Sequence, residues 1–322
     1  MDYEKQLSFL QVFNEFKNAR QGNRLSQAYL FVSPDRFTNS MFTSLLSKFL
    51  LCENNNICGV CAHCAKIKAG SHPDVLVYPK TQTFMVEDAS NIYDKVQVKP
   101  MLANLKIFVI NDLDLSTEQA QNKMLKIIEE PPKNVIFLMT ACSEEKVLST
   151  ILSRVQKMRI QKFNKQTLKN MLTTENVENL DIALNFGDGY IGKTLDILNN
   201  NNFVDCYKNM VNLIKNMKKS EQIPFFSVFL NKDKVFFENA LLILNDFFRD
   251  ILILHYDKNN LIKHTNLIEL YSQLVLEYSA IATNKILKKL NLYKRRLDRN
   301  VNLITLADNL LLDILEVKFL CK

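Results

Sequence analysis

The chain has 322 residues, enough for two or three compact domains, and its 47% hydrophobic and 23% charged residues exclude wholesale disorder. A net charge of +7 allows contact with nucleic acid or an acidic partner without demanding it. The start, Met1 to Lys5, carries no apolar signal segment and no apolar run approaches a bilayer span, so a cytoplasmic protein without a membrane partner is expected.

In chain order, Leu10, Phe13 and Phe16 recur at helical spacing, and the pattern predicts one helix over 1–24 with Gly22 near its end. Residues 25–32 form a short apolar run stopped by Ser33-Pro34, a buried strand. Helical periodicity returns from Met41 to Leu51. Strands are predicted over 74–79, 106–111, 135–140 and 157–160. Between them, helices are predicted over 86–98, from a Ser116/Gln119 capping box to Glu130, and over 147–154. Pro131-Pro132 ends the middle one, since neither proline can donate the next backbone bond. Strands alternating with helices imply a mostly parallel sheet covered on both faces. After about 164 the pattern is helical, with Gly187, Gly189 and Gly192 in turns up to about 205.

Four of the seven cysteines are bunched as Cys52-x5-Cys58-x2-Cys61-x2-Cys64. Four soft ligands within thirteen residues suit a closed tetrahedral Zn2+ site of structural type, with Gly59 tightening the turn. Four ordinary thiols are the alternative. His63 and His72 lie close by and are expected to be ordinary surface residues.

The first strand is followed by a loop and a helix, where a phosphate-binding loop would sit. Such a loop needs glycines, so that backbone N–H groups can crowd the phosphates, and a lysine for the terminal ones. Here the segment runs Ser33-Pro34-Asp35-Arg36-Phe37-Thr38-Asn39-Ser40, without a glycine. Asn39 stands in the lysine position, Asp35 would repel a triphosphate, and only Ser40 fits its role. After the third strand, Asp112 and Asp114 are a partial version of a magnesium-binding acidic pair, and solvated turn carboxylates are the favoured reading.

The degenerate loop, the four cysteines, His72-Pro73-Asp74, Glu129-Glu130-Pro131-Pro132 and Ser153-Arg154 occur in an order that resembles the delta-prime subunits of bacterial DNA polymerase III clamp loaders, members of the AAA+ ATPases. The match is carried further by Ala28-Tyr29-Leu30-Phe31 and by Ala120, Asn122, Leu125 and Lys126. Thr150-Ile151 adds to it, and Gly189 to Lys193 resembles the family's second sensor. Asn300-Val301-Asn302 with Leu306, Leu310 and Leu311 resembles its closing helices. The family's Cys after Ser-Arg is Val155 here, its paired threonines fall on Ala141 and Cys142, and the first two cysteines are closer than usual.

The resemblance implies an α/β AAA+ domain over 1–163 carrying the zinc insertion at 52–64, a helical lid over 164–205 and an all-α collar for oligomerisation over 206–322. It implies a component of the DNA polymerase holoenzyme that is not an enzyme on its own and binds no ATP. Such a subunit sits in a hetero-pentameric ring with gamma/tau motor and delta subunits. It offers Arg154, preceded by Ser153, to ATP on the adjacent motor, and through the complex serves the sliding clamp and primed DNA; for Arg154 an ordinary surface arginine or an internal ion pair is the alternative. Two rivals remain: an ATP-hydrolysing gamma/tau motor, and a zinc-containing nucleic-acid-binding protein.

Near the end, Lys285 to Arg299 is strongly basic around an apolar stripe of Ile286, Leu290, Tyr293 and Leu297. A solvated helix packed by its stripe is the favoured reading, and a surface toward DNA or an acidic subunit is the alternative.

Overall fold

The computed structural model describes residues 3–54, 57–172, 177–299 and 301–320, so Asn300 lies outside the described residues. The chain divides into two compact units, Met1–Glu175 with Gly187–Thr194, and Asn176–Phe186 with Leu195–Lys322. The segment expected to form a lid by itself, 164–205, is shared between these units.

The first unit opens with α1 (Tyr3–Leu7) and α2 (Gln11–Gln21), which replace the single helix expected over 1–24. Leu10 is extended, with φ −66° and ψ 146°, and this breaks the periodicity. β1 (Ala28–Val32) leads into α3 (Arg36–Leu51), then come α4 (Ala62–Lys68), β2 (Val75–Tyr78), α5 (Val86–Val96) and β3 (Lys106–Ile110). α6 (Glu118–Glu129) starts from Thr117, whose side chain accepts the Ala120 N–H, so the Ser116/Gln119 capping box does not form the cap. Ser116 instead donates its hydroxyl to the Leu113 carbonyl. β4 (Val135–Ala141), α7 (Ser149–Leu152), β5 (Gln156–Arg159) and α8 (Lys165–Met171) follow.

The strands form one parallel sheet in the order β2-β3-β4-β1-β5, with Ala28 opposite Phe137 and Lys106 opposite Val135. β3 and β4 are buried throughout, as fits strands covered on both faces. One face packs Phe108, Phe137 and Met139 against Ile92 of α5 and Met124 of α6. The other stacks Tyr29 and Phe31 with Phe16 of α2 and Phe42 of α3. This topology places the ends of β1, β3 and β4 side by side, where a parallel sheet offers its ligand crevice.

The second unit is helical: α9 (Val177–Phe186), the end of α10 (Ile191–Leu198), α11 (Asn201–Asn216), α12 (Ile223–Leu230), α13 (Lys234–Leu254), α14 (Ile268–Glu277), α15 (Ala280–Asp298) and α16 (Leu303–Leu320). Its core centres on Phe237, Leu244 and Phe247 of α13, with Tyr271, Ile286, Leu290 and Leu310 against them. No helix among the described residues is long and apolar enough to cross a membrane.

Candidate functional site

At the end of β1 the loop has already filled itself. Asp35 is 5% exposed, and its carboxylate accepts the Gly192 N–H at 2.8 Å and the Thr38 hydroxyl. Gly192 has to be glycine for this, since a Cβ there would lie 2.2 Å from the Asp35 carboxylate oxygen. Asp35 therefore stands where an anion would meet the start of α10, and the anion is tethered. Asn39 is fully buried, and its amide donates to the Ser33 carbonyl at 3.0 Å and the Ala141 carbonyl at 3.3 Å. It ties β1 to β4 and points no cation outward. Ser33 is also buried, while Ser40 is exposed near the start of α3.

The acidic pair has a resident cation. Arg36 contacts Asp112 at 2.7 Å and Asp114 at 3.6 Å. Asp114 is 7% exposed and also accepts the Cys142 N–H, and the Asp112 N–H donates to the Thr140 hydroxyl. The expectation of solvated turn carboxylates is thus corrected for Asp114: it is buried because Arg36 and a backbone amide compensate it. Asp112, Asp114 and Cys142 are close enough together to hold a metal. Burial pushes the Cys142 thiol up to about 11, so it stays protonated at neutral pH, and the Arg36 guanidinium already offers a cation to both carboxylates.

Arg154 and Ser153 follow α7 at the surface. The Arg154 guanidinium meets Glu129, the last residue of α6, at 2.8 Å, with 38% and 45% of the two side chains exposed. It also donates to the Thr150 carbonyl at 2.9 Å and the Ser153 hydroxyl at 3.2 Å. Glu129 is a partner that sequence reasoning missed, although it lies in the Glu-Glu-Pro-Pro segment. The pair at the end of β1 was missed too. Spacing does not show them: Gly192 lies 157 residues from Asp35, and the acids lie 76 and 78 residues from Arg36.

The four cysteines converge. Their sulfur atoms all lie within 4.8 Å of one another, with Cys52 and Cys64 buried and Cys58 and Cys61 partly so. The Cys61 and Cys52 sulfurs are 4.0 Å apart, near the ~3.8 Å edge of a tetrahedron with Zn–S bonds of about 2.3 Å. Gly59 turns the chain with φ +73°, and Cys61 caps α4, its sulfur accepting the Cys64 N–H at 3.5 Å. Amides of Cys61 and Val60 bring the Cys58 thiol down to about 6, while burial pushes the Cys64 thiol up to about 12. A cation is what would let four thiolates coexist there, so the donor set fits a metal.

His72 departs from its expected surface position. It is 4% exposed, its Nε2 lies 2.8 Å from Nδ1 of His63, and its Nδ1 accepts the Asp74 N–H. Burial lowers its pKa, with the nearby His63 adding to that. The fully buried Asp74 carboxylate accepts the N–H groups of Met101, Leu102 and Ala103 at 2.6, 2.7 and 2.9 Å.

Residues 10–164 match the family model described as DNA polymerase III, delta subunit. The chain is 25% identical over 309 residues to DNA polymerase III subunit delta' of Bacillus subtilis, spanning 93% of this chain and 94% of that one. It is 30% identical over 180 residues to DNA polymerase III subunit tau/gamma of Haemophilus influenzae, which is 54% of this chain. The chain spans only 26% of that relative's length. Among solved structures, a DNA polymerase III gamma subunit-related protein of Thermotoga maritima superposes with a TM-score of 0.46 at 17% identity, over 96% of this chain and 99% of that one.

Proposed function

We propose that this chain, a relative of the delta-prime subunits of bacterial DNA polymerase III, is the clamp-loader member that holds no ATP and completes the ATP site of a neighbour. Arg154 is the group it lends. A guanidinium is always charged, planar and able to grip two phosphate oxygens at once, which suits charge developing on a transferred phosphoryl group. Ser153 and Glu129 orient it. An exposed ion pair is worth about 0–1 kcal/mol, so a triphosphate presented by an adjacent subunit readily takes the guanidinium from Glu129.

The observation that carries this reading is an asymmetry within the first unit. Asp35 and Arg36 occupy the places of phosphate and metal at the end of the chain's own sheet, while Arg154 is at the surface with one exposed carboxylate. The partners in this reading are gamma/tau motor and delta subunits in a five-membered ring, and through them the sliding clamp and primed DNA. A cytoplasmic location goes with it. Cys52, Cys58, Cys61 and Cys64 would hold Zn2+, which ties the end of α3 to the start of α4 and supplies no catalytic position.

Nucleotide titration of the isolated chain tests the first half. No magnesium-dependent ATP binding is expected in the micromolar range. Binding at that level would return the chain to the ATP-hydrolysing motor reading.

A further inference from the structure

The chain's charge is concentrated in one helix of the second unit. Residues 285–299 carry seven cations against one carboxylate, Asp298, which accounts for nearly all of the net +7. α15 is capped by Ser279, whose hydroxyl accepts the Ala282 N–H at 3.2 Å. The apolar stripe is buried as expected, with Ile286, Leu290, Tyr293 and Leu297 each at most 3% exposed. α13 and α16 take that face.

The cations then separate into two groups. Lys289 is neutralised by Asp313 at 2.6 Å, the same carboxylate that accepts the Tyr293 hydroxyl, and Arg296 lies over the Tyr293 ring. Lys294 is exposed on another side of the helix, and Lys288, Arg295 and Arg299 are exposed and have no ion pair among the described residues. The spacing of seven and four residues in these three puts them on one line along the helix and its C-cap residue, Arg299, on the side opposite the buried stripe. That line is about 16 Å long at a rise of ~1.5 Å per residue. Exposed Lys285 and Asn291 flank it, and Leu292 is the one large apolar side chain beside it.

A straight row of unneutralised cations on a rigid helix fits a regular polyanion. One strand of a duplex offers a charge every ~3.4 Å, several of which fall within that length. Two of the three cations are arginines, suited to bidentate phosphate contact. We propose that the outward face of α15 binds the phosphate backbone of DNA without reading its sequence, through Lys288, Arg295 and Arg299.

The test is the affinity of the purified full chain for a short labelled duplex and for a single strand as salt is raised. Three phosphate contacts predict, for the duplex, a weakening of about fortyfold between about 50 and 200 mM salt, a log–log slope of about −2.7, and for the single strand a slope of about −2.1. Lys288→Glu with Arg295→Glu and Arg299→Glu should abolish binding at low salt. A control of equal charge change, Lys17→Glu with Lys208→Glu and Lys234→Glu, should bind within about twofold of the unaltered chain. Should the reversed variant melt early by circular dichroism, the three Gln substitutions replace it and should lower the slope to near zero. Equal loss in both triple variants, no loss in the α15 variant, or no DNA binding by the unaltered chain overturns the proposal. So does tighter binding to an acidic polypeptide than to DNA of the same charge.

Discussion

On the proposed reading, Asp35 closes a site with one side chain. Its carboxylate is fixed to the backbone, and its contacts to Gly192 and Thr38 make it part of the fold. Asp35→Ala should lower the stability of the first unit by about 2 kcal/mol in urea unfolding, because a charge-assisted bond is lost and a buried N–H is left without its acceptor. ATP binding should not return, since Asn39 still stands in place of the lysine. Asp74 acts by the same chemistry toward residues 101–103. Burial raises its pKa, but the three backbone amides and the charge of nearby His72 outweigh it and hold the pKa below the ordinary value. A depressed carboxyl stabilises the fold above its unfolded value of about 3.9 and loses that contribution as the pH falls through the folded value. Asp74→Asn should therefore lower the melting temperature at neutral pH, with the gap to the unaltered chain shrinking below about pH 4. A gap that stayed constant on going further down, well below that pH, would contradict the assignment.

At the scale of elements, the parallel sheet was legible because β3 and β4 are uninterrupted apolar runs between helical patterns. The helix ending at Pro131-Pro132 was legible from backbone chemistry alone. Helix starts were less so. Ser116 and Thr117 both have capping side chains, and which one caps depends on the turn over 113–115, which uses Ser116. α3 begins at Arg36, five residues before its apolar periodicity, and its first turn carries polar contacts, Thr38 to Asp35 and Asn39 to the Ser33 carbonyl, that periodicity does not show. The cysteine spacing was readable, but the burial of His72 was not, since it depends on a backbone amide and on His63 in space. The cluster joins α3 to α4, so its loss should be felt across that junction. Cys58→Ser with Cys61→Ser should release about one equivalent of zinc and lower the melting temperature of the first unit. Protein prepared without chelator that holds well under one zinc per chain would count against the site.

For the whole molecule, the two units carry different parts of the account. The first has a sequence pattern that resembles one family closely, while the contacts around Asp35 join positions up to 157 residues apart and cannot be read from spacing. In the second, Leu-rich periodicity announced helices, yet which cations of α15 are neutralised depended on Asp313 from α16. The central claim is that the first unit gives a cation to another subunit's ATP, having closed its own site. Its most direct test is the ATPase of a reconstituted clamp-loader complex carrying Arg154→Ala. Assembly should be unchanged, and turnover at the completed site should fall by about 10³ or more, so the complex loses that site's share of its clamp- and DNA-stimulated rate. A fully assembled complex that hydrolyses ATP at the unaltered rate would contradict the claim.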